Sequence, residues 1–219
     1  MVLKNRTNAG KSLGNFYNTI YSVGRDYHHT RNNNRLLEVD SIVVSDCAVI
    51  FPRIEKFANE QNQISNNILG LQSILTYIRE VNRKLIGRNE YTNPLMTTCS
   101  IAFGDFKYEN RIGLRQVEKN FFLGEAYIDA FIDSETKSPK LEPSQCRLLK
   151  KNLDFMSNIP DNPICSLLKK QSKYYYFYWM LQPLDDQRSY ERKYREISQS
   201  IYPRIIKLIQ DSLKTPRIA

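Results

Sequence analysis

Four positions in this chain carry groups whose type and setting could do chemistry. Asp46 stands between two β-branched, apolar runs in SIVVSDCAVIF, so a hairpin made from those runs places Ser45 and Asp46 near its turn and projects a carboxylate into an open site. Asp105 follows Gly104 in FGDFKY, a pairing that also reads as an ordinary turn. Lys119, in EKN, comes just ahead of a helix that Gly124 opens. A lysine there can reach a phosphate, and a glycine at a helix N-terminus lets backbone N–H groups approach one. The plainer readings are a solvated loop lysine and a glycine demanded by close packing.

Other constellations carry less. Cys47, Cys99, Cys146 and Cys165 lie far apart, with no CxxC and no histidine at ligand spacing, so neither a zinc site nor a disulfide framework is indicated and buried free thiols are expected. His28 and His29 fall in a polar loop without metal-ligating partners. The GKS at Gly10 to Ser12 lacks the upstream glycine and preceding strand of a phosphate-binding loop.

Alternating helices and strands must position these groups. Leu13, Phe16, Ile20 and Val23 predict a first helix to about Tyr27. Residues Leu36 to Phe51 read as β structure ended by Pro52, with Asp46 in its middle. Ile64, Ile68, Leu71, Ile74 or Leu75, Ile78, Val81 and Leu85 then keep one apolar stripe over about six turns. A strand is expected through Ser100 to Phe106, followed by a polar connection and a second strand at Asn120 to Leu123. The helix after Gly124 sets Glu125, Asp129 and Asp133 along one side, an acidic stripe expected to be solvated. Cys146 to Leu149 reads as a further strand, and the aromatic run Tyr174 to Met180 as a last, buried one. The aromatics could also stack on bases, but in a strand of this composition they are expected in the core. A final helix is expected over about Gln187 to Leu213, interrupted or kinked by Pro203.

The chain has 219 residues, 41% hydrophobic and 25% charged, which suits one globular domain. That domain is expected over 1–183, with a C-terminal helix and tail over 184–219. No apolar run approaches the ~20 residues that span a bilayer, and MVLKNRTNAGKSLGN has no apolar h-region, so a cytoplasmic protein is expected. The net charge of +9, from 32 Lys and Arg against 23 Asp and Glu, favours polyanions in general. Its excess is dispersed instead of forming one stripe, which argues against a nucleic-acid-binding module.

VVSDCAVI, SIAFG, FFLGEAYIDAFIDSE, SQCRLL and YYYFYWM, in that order over roughly residues 36 to 180, resemble the core of class III nucleotide cyclases, and in particular the pyrimidine cyclases of bacterial antiphage defence (Pycsar). VVSDCAVI is similar to the family's FSDSI-like metal hairpin. SIAFG and FFLGEAYIDAFIDSE are similar to its RGAI strand and ifGxAyxxAyxLE helix. Gly124, Ala126, Tyr127 and Ala130 match in place, and Glu135 falls one residue late.

The resemblance implies an α+β, ferredoxin-like αβ sandwich, a homodimer with its site between subunits, and metal-dependent cyclisation of a nucleoside triphosphate, with a pyrimidine base expected. It implies Mg²⁺ or Mn²⁺ held by Asp46, with Asp105 as the second ligand in an alternative register. Lys119 and Gly124 are the candidate substrate contacts. The family's first-strand aspartate has no counterpart before Asp26, and Ile128 and Ile132 stand where the broader class has an asparagine and an arginine. The resemblance therefore implies a sandwich lacking, or truncated at, its first strand, with MVLKNRT as its remnant. The alternative is a noncatalytic nucleotide-binding or protein-interaction domain of the same fold.

Overall fold

In the computed structural model the apolar stripes of the sequence become the buried faces of two long helices, α1 (Arg6–His29) and α2 (Glu60–Ile86). The structure describes residues 6–29, 38–44, 46–53, 60–86, 95–112, 118–151, 153–158, 163–181, 188–189, 191–196, 199–200 and 203. Phe16, Ile20 and Val23 of α1 are buried at spacings of four and three, as the sequence predicts. On α2 the stripe from Ile68 to Leu85 is buried, while Ile64 is exposed. Burying each such side chain contributes about 1.5–3 kcal/mol, so these stripes dominate the packing of both helices.

Between the helices, β1 (Val39–Val44) and β2 (Cys47–Pro52) pair antiparallel, with Val44 opposite Cys47 and Asp46 in the turn. One side chain ties this hairpin to both helices. The Tyr77 hydroxyl, fully buried on α2, donates to the Ile20 carbonyl at 2.7 Å and shares a hydrogen bond with Ser41 Oγ at 3.0 Å.

The remaining strands are β3 (Cys99–Ile101), β4 (Lys107–Ile112), β5 (Glu118–Leu123), β6 (Cys146–Leu149), β7 (Leu168–Gln171) and β8 (Tyr174–Phe177), with helix α3 (Glu125–Ser134) between β5 and β6. Four of them form a mixed sheet in the order β3-β6-β8-β7. β3 and β6 are parallel, joined by a crossover that contains the β4–β5 hairpin and α3, and the other neighbours are antiparallel. The chain is thus α+β. Among the described residues a buried cluster runs from α1, α2 and β1 to Cys146 and Leu148 of β6 and Phe177 of β8.

Two expectations about the strands are corrected. The strand expected over Ser100 to Phe106 stops at Ile101, because the chain turns at Gly104 and Asp105 and starts a new strand at Lys107. The polar connection after it is the β4–β5 hairpin, in register from Lys107 opposite Leu123 to Ile112 opposite Glu118. The edge strand β7 is formed by a charged stretch where no strand is expected, and its two lysines face solvent. Lysine on an edge strand discourages pairing with other chains. The aromatic run is central, with Tyr174, Phe177, Tyr178 and Trp179 buried as expected and Tyr175, Tyr176 and Met180 only partly so, and the strand itself ends at Phe177. Trp179 lies beyond it and donates from Nε1 to the Ser144 carbonyl at 2.8 Å. Of the expected C-terminal helix, residues 188–189, 191–196, 199–200 and 203 are helical, Pro203 included, and the rest lies outside the described residues. Among the described residues no helix is long and apolar enough to cross a membrane.

Candidate functional site

Asp46 occupies the exposed tip of the β1–β2 hairpin, where the two β-branched strands leave only a tight turn. Its Oδ1 accepts a weak hydrogen bond from the Cys47 thiol at 3.9 Å. The Cys47 pKa is raised, first by desolvation and then by the Asp46 and Glu135 carboxylates. Glu135 is the C-terminal cap of α3, its N–H donating to the Phe131 carbonyl. The Glu135 carboxylate at the C-terminal end of α3 is thus within electrostatic reach of the hairpin tip.

Asp105 and Gly124 meet at the other end. Gly124 adopts φ +132°, a region open to glycine, and a Cβ there would overlap the Asp105 carbonyl oxygen and fall 2.9 Å from the Phe106 Cα. The same carbonyl accepts the Ala126 N–H at 3.2 Å, so one first-turn amide of α3 already has a backbone partner. Close packing thus accounts for the glycine. The side chain of Asp105 is exposed. With ten residues, α3 is about 15 Å long, so Asp46 and Asp105 sit near opposite ends of it and are not brought together. Lys119 lies in β5 opposite Arg111, and its side chain falls outside the described residues.

Helix α3 is inverted relative to an ordinary amphipathic helix. Ile128, Phe131 and Ile132, at i, i+3 and i+4, are 50%, 57% and 59% exposed, and Leu123 just before the helix is 53% exposed. Phe131 ends a run of ring contacts that passes from Phe51 to Tyr108, Phe122 and Tyr127 at centroid separations of 5.5 to 6.4 Å.

The acid is on the inside. Asp133 is 3% exposed and Arg147 of β6 is 0% exposed, which corrects the expectation of a solvated acidic stripe. Arg147 donates from Nε to Asp133 Oδ2 and from Nη2 to Oδ1, both at 2.8 Å, and from Nη1 to the Pro139 carbonyl at 2.7 Å. Ser100 Oγ donates to Asp133 Oδ2 at 2.5 Å, and the guanidinium sits 4.3 Å from the Tyr174 ring centroid. Burial opposes the charge on Arg147, but the bonds to Asp133 outweigh it, and the guanidinium pKa is raised. The other two acids, Glu125 and Asp129, share Lys151 at the surface. A charged residue inside the apolar strand CRLL was the sequence signal for this pair, since a buried charge requires a partner.

Two of the four cysteines are buried, Cys146 and Cys165; Cys99 is half-buried and Cys47 exposed, so the expectation of buried thiols holds for part of the set. Among the described residues no three His, Cys, Asp or Glu side chains gather where they could hold a metal ion. A surface cavity of about 270 Å³ is lined by Arg188, Glu191, Arg192, Arg195, Glu196 and Gln199 and includes none of the candidate residues. No protein-family model matches the chain, and neither a curated protein nor a solved structure matches it.

Proposed function

We propose that the chain is a nucleotide-cyclase-like domain that takes a metal–nucleoside triphosphate, with pyrimidine nucleotides preferred, at a site completed by a second copy of itself. On this reading the α+β framework is a ferredoxin-like sandwich of the class III cyclase kind. The reaction is attack of the ribose 3′-hydroxyl on the α-phosphate with loss of pyrophosphate.

The observation that carries the reading is the outward face of α3. Leu123, Ile128, Phe131 and Ile132 are exposed on and beside a glycine-opened helix whose far end carries Glu135, within electrostatic reach of Cys47 next to Asp46. A rimmed apolar face of this kind marks an interaction surface. In a protein whose site lies between subunits, it is the face that would meet the partner.

Asp46 supplies an exposed hard-oxygen ligand, which fits one Mg²⁺ or Mn²⁺ ion that keeps waters and takes its other ligands from substrate phosphates. When bound, such an ion would stabilise the charge that develops on the reacting phosphate oxygens.

The test is incubation of the purified chain with each of the four nucleoside triphosphates and Mn²⁺, followed by mass spectrometry for 3′,5′-cyclic product. Product from a pyrimidine nucleotide that is lost in Asp46→Ala is expected. No product together with no metal-dependent nucleotide binding would overturn the proposal. Binding without product would instead mark a noncatalytic domain of the same fold.

A further inference from the structure

We infer that Cys99 and Cys146 form a paired modification site, which closes to an intrachain disulfide by exchange with a small-molecule disulfide. The two residues are direct partners at the first position of β3 and of β6, in the parallel pair at the edge of the four-stranded sheet. Partnered residues on neighbouring strands point to the same face, and neighbouring strands lie about 4.7–4.9 Å apart. That spacing falls inside the roughly 4.4–6.8 Å Cα separation that a disulfide spans. Both thiols are free, and Cys99 is near enough to act on the Cys146 thiol.

Their exposures differ in a way that sets the order of events. Cys99 is half-buried, whereas Cys146 is 2% exposed. The Cys99 thiolate attacks one sulfur of the small disulfide, expelling a thiolate and leaving a mixed disulfide on Cys99. Cys146 then loses its proton to solvent and attacks the Cys99 sulfur, expelling the second thiolate. The chain is oxidised by two electrons, and the small disulfide is reduced to two thiols. Burial and the neighbouring Cys99 thiol both push the Cys146 pKa up, which keeps it the resolving thiol and not the one that attacks first.

The other two cysteines lack this arrangement. Cys47 lies at the hairpin tip and Cys165 begins a buried 3₁₀ turn, and neither is paired with a cysteine in a strand register. The ring closed between Cys99 and Cys146 contains the β4–β5 hairpin, Gly124 and α3. Oxidation would therefore clamp the crossover that presents the exposed face of α3. The proposal does not depend on a cyclase activity.

The full-length chain is incubated with oxidised glutathione and digested without reduction, and the peptides are mapped by mass spectrometry. A linked peptide joining Cys99 to Cys146, reversed by dithiothreitol, is expected, with an upward Tm shift of roughly 10 °C from closure of the loop. In Cys146→Ala, glutathione is expected to accumulate on Cys99. Should that variant fail to fold, Cys99→Ser, at the half-buried partner, is expected to keep its circular dichroism spectrum and lose the link. A stable glutathione adduct on Cys99 of the unaltered chain, or a link that forms only in denaturant, would overturn the inference.

Discussion

Replacing Asp133 with alanine should cost this protein far more than replacing either of the other acids on the same helix. The carboxylate accepts three hydrogen bonds, two from Arg147 and one from Ser100. Removing it strands a guanidinium that is 0% exposed. Breaking a buried pair by removing one partner costs about 3–5 kcal/mol, because an uncompensated charge stays behind. Arg147 would keep the carbonyls of residue 133 and Pro139, at 3.0 and 2.7 Å, and the face of Tyr174. Those remaining contacts place the expected loss near the lower end, about 3 kcal/mol. For a chain of this size that corresponds to a Tm drop of roughly 6–12 °C. Urea denaturation followed by circular dichroism should register a lower midpoint with an unchanged slope. Asp129→Ala, one turn earlier on α3, removes a surface partner of Lys151 and should leave the midpoint nearly unmoved. The double variant Asp133→Leu with Arg147→Met should recover most of the loss, since a packed apolar pair replaces a buried ionic one. A loss below about 1 kcal/mol in Asp133→Ala would refute the argument that the buried guanidinium depends on this carboxylate. A double variant as unstable as the sum of its single changes would refute the coupling.

Three further perturbations follow from contacts of the same kind. Gly124→Ala should destabilise the chain by roughly 1–3 kcal/mol in a urea titration, because the new Cβ meets the Asp105 carbonyl and the backbone conformation suits glycine. Tyr77→Phe removes the hydroxyl that joins α1, α2 and β1, and should cost about 1–2 kcal/mol by the same measurement. Ile132→Asp, on the exposed face of α3, should convert the proposed dimer to monomer in sedimentation velocity while leaving Tm unchanged. A fall in Tm without a change in mass would instead give Ile132 a role inside the fold.

Local periodicity made much of the framework legible, and long-range pairing hid the rest. The stripes on α1 and α2 needed only spacing, and the β1–β2 hairpin only its two Val- and Ile-rich runs around Asp46. β7 escaped because its lysines give an edge strand the composition of a loop. The β4–β5 hairpin escaped because KYENRI is too polar to read as a strand without its partner. Asp133 was misplaced for a more general reason. On the helix it continues an acidic series with Glu125 and Asp129, and only the fold brings Arg147 beneath it. In the candidate site, the position of Asp46 in a turn was legible, as was a packing role for Gly124. The meeting of Gly124 with Asp105, and the approach of the Asp46 hairpin to Glu135, depend on tertiary contacts that no local spacing encodes.

The measurement that bears most directly on the proposed function is a calorimetric titration of UTP and CTP into the chain with Mn²⁺, repeated with EDTA and with Asp46→Ala. Metal-dependent binding of a pyrimidine nucleotide, abolished by EDTA and strongly weakened in Asp46→Ala while Tm is retained, is expected. Binding that persists unchanged in both controls, or no binding at all, would contradict the assignment of Asp46 as a metal ligand and with it the cyclase-like reading.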